Sequence, residues 1–64
     1  MTMREYTQAR LAAAERDLEY ATSTAGFRLW ERTKDGERDV TAEHVELLRR
    51  VVDEYRRVLA NLPG

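Results

Sequence analysis

The chain has 64 residues, 36% of them charged, yet 11 Lys and Arg against 12 Asp and Glu leave a formal net charge of only −1. That balance lacks the basic excess of a general polyanion binder, the absence of cysteine excludes disulfides and thiolate metal sites, and one histidine is too few for a protein-only zinc site. A domain this short has a modest core and a thin stability margin, so assembly with other chains is the expected compensation. No apolar run reaches membrane-spanning length, and Met1-Thr2-Met3-Arg4-Glu5 leads into charged sequence with no signal-peptide core. The expectation is a soluble protein of a reducing compartment.

Thr2-Met3-Arg4-Glu5 matches a capping box, in which the Thr2 hydroxyl accepts from the Glu5 amide while Glu5 reaches back. From Met3 to Ala21 there is no Gly or Pro, and Ala9, Leu11, Ala12, Ala13 and Ala14 favour helix. Leu11, Ala14, Leu18 and Ala21 form one apolar stripe at spacings of three and four, widened on one side by Tyr6, Ala13 and Tyr20. Arg4, Glu5, Gln8, Glu15, Arg16 and Glu19 lie opposite. These features predict a first helix over about residues 3–22, its alanines admitting a second helix closely. Gly26, after Thr22-Ser23-Thr24, is the expected stop, able to take the left-handed cap conformation.

Gly26 to Thr41 reads as something other than helix. Asp35-Gly36 is a hairpin signal because a type I′ turn needs positive φ at both central residues. Phe27 to Thr33 suits a strand. With Asp35-Gly36 as a two-residue loop, Lys34 faces Glu37, Arg32 faces Asp39 and Glu31 faces Val40. A three-residue loop, Lys34-Asp35-Gly36, opposes Arg32 to Arg38, so cross-strand charge favours the first register. Alternation then places Phe27, Leu29 and Val40 inward, and Arg28, Trp30 and Arg32 outward. Trp30 either shields its own hairpin against arginine stems or anchors a partner, as Trp and Arg do at interfaces. The competing structural reading makes residues 27–34 a short third helix, giving an all-α helical hairpin.

Thr41 is the expected N-cap of a second helix over about residues 42–62, with Glu43 complementing the dipole in the first turn. Val45, Leu48, Val52, Tyr55, Leu59 and Leu62 form its stripe, broadened by Val51 and Val58. Glu46–Arg50, Arg49–Asp53, Arg50–Glu54 and Asp53–Arg57 are opposite charges at i,i+4, worth about 0.2 to 0.5 kcal/mol each. Pro63-Gly64 closes the helix. The predicted fold is a single α+β domain over residues 1–64, two antiparallel helices joined by a hairpin over about residues 27–40.

Nothing in the chain reads as a reaction centre. His44 in the first turn of helix 2 has no nucleophile or oriented carboxylate beside it. Asp35/Glu37 and Asp53/Glu54 read as solvated surface, with nothing to raise a pKa by burial. Gly26, Gly36 and Gly64 are isolated, so no phosphate-cradling loop exists. Arg49-Arg50 and Arg56-Arg57 share roughly one side of helix 2, but interleaved acids dilute their field and argue against direct nucleic-acid binding. The expectation is a non-enzyme with no catalytic, cofactor-binding or metal residues. No cofactor, small-molecule substrate or membrane is expected. The candidate partner contacts, chosen for exposure, are Arg28, Trp30, Arg32, Arg49 and Arg56.

The order helix, Gly26, strand, Lys34-Asp35-Gly36 turn, strand, Thr41-capped helix resembles the lambda W-type head–tail joining proteins of tailed phages. The resemblance covers roughly Arg10 to Leu59. It rests on Leu11-Ala12-Ala13-Ala14, on Leu18, on Gly26 preceding the turn, and on Val45, Leu48 and Val52. The second strand, Arg38 to Val40, is shorter than the family's. The resemblance implies a virion connector subunit present in the cytoplasm during assembly. Copies would then form a ring below the portal and make the surface where the tail docks. The alternatives are a small binding module, such as an antitoxin or accessory subunit, and a DNA-binding regulator using the helix 2 arginines.

Overall fold

Helix formation starts where Thr2 places it. In a computed structural model describing residues 1–63, the Glu5 amide donates to Thr2 Oγ1 and the Thr2 amide to Glu5 Oε1, both at 3.1 Å. This complete capping box satisfies two otherwise orphaned donors of α1, Met3–Ser23. The Glu5 carboxyl is held below the usual range, first by the Thr2 amide and then by its hydroxyl. Thr22 and Ser23 fit the last turn because their hydroxyls donate to Leu18 O and Glu19 O at 2.9 and 2.6 Å.

The chain then passes through β1, Trp30–Thr33, and β2, Gly36–Asp39, into α2, Thr41–Asn61. The fold is therefore α+β, two antiparallel helices joined by a two-stranded antiparallel hairpin, and residues 27–34 form no third helix. Gly64, read above as part of the closing Pro63-Gly64 pair, lies outside the described residues.

Contacts from opposite ends of the two helices fix their antiparallel run. The Arg4 guanidinium donates to Leu62 O at 3.4 Å, Arg10 Nε to the Tyr55 hydroxyl at 3.4 Å, and Arg56 pairs with Glu15 at 2.9 Å. Their seam is narrow. Ala14, Ala21, Val52 and Thr7 are buried, and no large side chain is fully enclosed. Leu11, Leu18, Val45, Leu48, Tyr55 and Leu59 flank this seam half-buried. Thr7 is an interior residue that apolar periodicity misses, and it is tolerated because its hydroxyl donates to Met3 O at 2.8 Å.

The molecule is long for its mass. Its extents are 49 × 27 × 18 Å and its radius of gyration is 14.8 Å, where a compact chain of this length has about 11 Å. A helix of 21 residues spans about 31 Å, so the hairpin prolongs the long axis beyond the helix pair. Every residue of both strands is exposed.

Several local expectations are corrected. The register is Trp30↔Asp39, Glu31↔Arg38, Arg32↔Glu37 and Thr33↔Gly36, two residues from the preferred pairing. Cross-strand charge could not separate the two, because both oppose acids to bases. Turn geometry decides: no residue other than glycine has positive φ, which excludes a type I′ turn at Asp35-Gly36. Lys34-Asp35 forms the loop, and Gly36, at φ 121°, follows it. A shift of two preserves the faces, so Trp30 and Arg32 still share one.

Leu29 is not tucked inward, because the projecting hairpin offers no interior and leaves it on the exposed side. Gly26 does not cap α1. Thr24 does, and Gly26, at φ 77°, stands third in the next turn, closed by the Phe27 amide on Thr24 O at 3.2 Å. Nor does Thr41 cap α2, whose N-cap is Val40 with no side-chain bond. The four i,i+4 ion pairs of helix 2 do not form. Arg57 reaches Glu54 at i,i+3 instead, and Arg56 crosses to α1.

The alanine seam sets the helix separation, which a core substitution tests. Ala14→Leu should lower unfolding free energy in urea by about 1 to 3 kcal/mol, the usual cost of overpacking. The same change at exposed Ala9 should move it by about 0.5 kcal/mol or less.

Candidate functional site

The hairpin is held to α2 by a short polar knot. Asp39-Val40-Thr41 places an aspartate two residues before a helical amide, the spacing of an Asx turn. Thr41 donates to Asp39 Oδ1 twice, from its amide at 2.9 Å and its hydroxyl at 2.5 Å. The same hydroxyl oxygen accepts the Leu29 amide at 2.9 Å, and the Val40 amide donates to Leu29 O at 2.8 Å. Thr41 is thus occupied with the hairpin, which explains why it does not cap its own helix. These bonds hold the Asp39 carboxyl below its usual range, the Thr41 hydroxyl first and its amide second, with Arg28 adding a weaker pull from 3.9 Å.

The two hairpin faces differ. Trp30, Arg32, Glu37 and Asp39 share one, with Trp30 56% exposed. On the other, Arg38 bridges Glu31 at 3.0 Å and Glu43 of α2 at 3.3 Å, and its guanidinium pKa is raised, first by the bond to Glu31. Beside this bridge an open groove of about 330 Å³ is lined by Leu29, Val40, His44 and Leu47. Phe27 braces the base, edge-on to Tyr20 at 5.7 Å and stacked on His44 at 6.4 Å. His44 is therefore a packing residue where α2 begins.

A second groove of about 510 Å³ runs along the helix pair, with Glu15, Glu19, Arg49, Asp53 and Arg56 among its residues. The five candidate contacts consequently fall into two groups. Arg28, Trp30 and Arg32 belong to the hairpin and its approach, while Arg49 and Arg56 line the helix groove. Arg28 donates to Phe27 O at 2.6 Å, and Arg56 is engaged by Glu15. The Arg38 bridge and the Asp39–Thr41 knot escape a reading by exposure. The Asp-x-Thr spacing was the signal for the knot; the bridge depends on the register.

Among the described residues, no group of three or more His, Cys, Asp or Glu is placed to hold a metal ion. No helix there is long and apolar enough to cross a membrane. What the arrangement presents to solvent is exposed charge, one exposed indole and open grooves. The chain matches no protein-family model, no curated protein and no solved structure.

Because folding lowers the Asp39 pKa, its contribution to stability is present above the ordinary value of 3.8 and is lost as pH falls through the lower folded value. Asp39→Ala should reduce amide-exchange protection of Leu29 and Thr41 by roughly tenfold while helical circular dichroism is retained. The wild-type chain should lose the same protection in acid below that window.

Proposed function

We propose that this chain is a non-enzymatic virion structural protein, a head–tail connector subunit that acts by docking on other proteins. The observation that carries the reading is the αββα order with a charged hairpin projecting past a helix pair. Such a shape presents a tip and a flank at once, which suits a subunit wedged between neighbours in a ring. In this reading copies assemble in the cytoplasm below the portal of a filled capsid and create the surface to which the tail attaches. Arg28, Trp30 and Arg32 meet one neighbour; Arg49 and Arg56 meet another.

Trp30 supports that assignment because a large exposed indole beside arginines has the composition of an interface anchor. The ion pairs Arg56–Glu15 and Arg57–Glu54 neutralise much of the basic side of α2 and weigh against a DNA-binding regulator. A second reading, a small binding module such as an antitoxin or accessory subunit, draws on the groove at Leu29 and Leu47. Two exposed leucines beside the Arg38 bridge suit an apolar side chain from a cognate protein.

Co-expression with the products of its neighbouring genes separates these readings. A connector should co-purify with a portal ring, and Trp30→Ala should weaken that capture by roughly tenfold or more while the free chain keeps its helical signal. Capture by a toxin with no portal gene nearby would replace the connector reading with the binding-module one. Unfolding of the free Trp30→Ala chain would show that the indole supports its own hairpin.

A further inference from the structure

The helix pair is one layer thick, and its two sides are unlike. One carries the charged groove of Glu15, Glu19, Arg49, Asp53 and Arg56. On the other, Arg10, Ala13 and Asp17 of α1 border a shallow hollow of about 170 Å³ with Leu48, Val51 and Tyr55 of α2. Seven residues turn an α-helix by nearly two full turns, so Tyr6 and Tyr20 flank Ala13 on that same side. They are 50% and 62% exposed. A packed domain normally covers such a face with a second layer, which these described residues do not supply.

We infer that a second copy of this chain covers this face, pairing α1 with α1 antiparallel about Ala13 to make a four-helix bundle. Two observations select this occupant. The strip Tyr6–Arg10–Ala13–Asp17–Tyr20 is nearly palindromic in size and inverted in charge, so that it complements itself when reversed, as a two-fold interface demands. Reversing one helix on the other brings Arg10 opposite Asp17 of the partner subunit, and the reverse, with each tyrosine near its counterpart and the small alanines at the crossing. Asp17 has no ion-pair partner among the described residues. Arg10 engages the Tyr55 hydroxyl through Nε, so its two terminal nitrogens remain for an incoming carboxylate.

The second observation is area. The chain exposes 5206 Å² at a mass of 7.5 kDa, where a compact monomer of that mass exposes roughly 4,200 Å². The excess, about 1,000 Å², is shared between this face and the projecting hairpin, and an interface of standard size needs about 800 Å² a side. Ala13 and Val51 supply the centre of the face, Tyr6 and Tyr20 close its two ends, and the two charge pairs between them fix its register. The hairpin and the charged groove lie elsewhere, so this pairing neither needs nor opposes the connector reading.

Sedimentation equilibrium of the full chain tests the pairing. The wild type should approach twice the chain mass at tens of micromolar, while Asp17→Arg and Arg10→Asp should each weaken self-association by roughly tenfold or more through like-charge opposition. An equimolar mixture of the two single variants should pair again, because each then offers the charge the other lacks. Circular dichroism of each variant alone confirms folding, since both positions are exposed. A wild-type monomer at several hundred micromolar would overturn the proposal. So would a dimer indifferent to both substitutions, or a mixture that stays monomeric.

Discussion

The structure depends on how closely α1 and α2 approach. Ala14 and Ala21 put methyl groups where bulkier side chains would hold the helices apart, and Val52 fills the space opposite. Close approach extracts dispersion contact from small residues, but it buries little area. Two exposed faces, a long molecular axis and an unburied hairpin all follow from a seam one side chain deep. Polar detail therefore matters more here than in a larger domain. The Thr2–Glu5 capping box, the Thr7 back-bond and the Asp39–Thr41 knot each satisfy backbone or hydroxyl groups that a thin interior cannot shield.

Both helices were legible because their signals are local. The capping box needs only four adjacent residues, and the three-four spacing of Leu11, Ala14, Leu18 and Ala21 is independent of the rest of the fold. The hairpin was legible in kind, from Gly36 and the strand-forming run before it, but not in register. Acids and bases alternate so regularly through Glu31-Arg32 and Glu37-Arg38-Asp39 that a slip of two residues preserves opposite charge across the ladder. Only the backbone angle at Asp35, which is not positive, separates those pairings, and composition carries no trace of it.

The site was legible in part for a related reason. Trp30 is exposed, as alternation required, yet Leu29 is exposed too, because alternation says which residues share a face and not whether anything covers it. The Thr41 hydroxyl had two plausible employments, its own helix or the hairpin. Its choice depends on where the Leu29 amide arrives, a tertiary fact. The charge pairs expected within α2 failed similarly: Arg57 turns to Glu54 rather than to Asp53, and Arg56, for which no helical partner was expected, finds Glu15 across the seam.

The charges also bear on the hairpin's open edges. Were β1 to pair antiparallel with β1 of another copy about a two-fold axis, residues of equal parity would meet. Glu31 would then face Glu31, or Arg32 face Arg32, and either opposition repels. The hairpin is clamped at its base and buries nothing along its length, so its ten residues form a replaceable cassette. Substitution between Trp30 and Asp39 that spares the turn and the clamp removes none of the polar contacts between the helices. The sequence of the tip is thereby uncoupled from the frame that carries it.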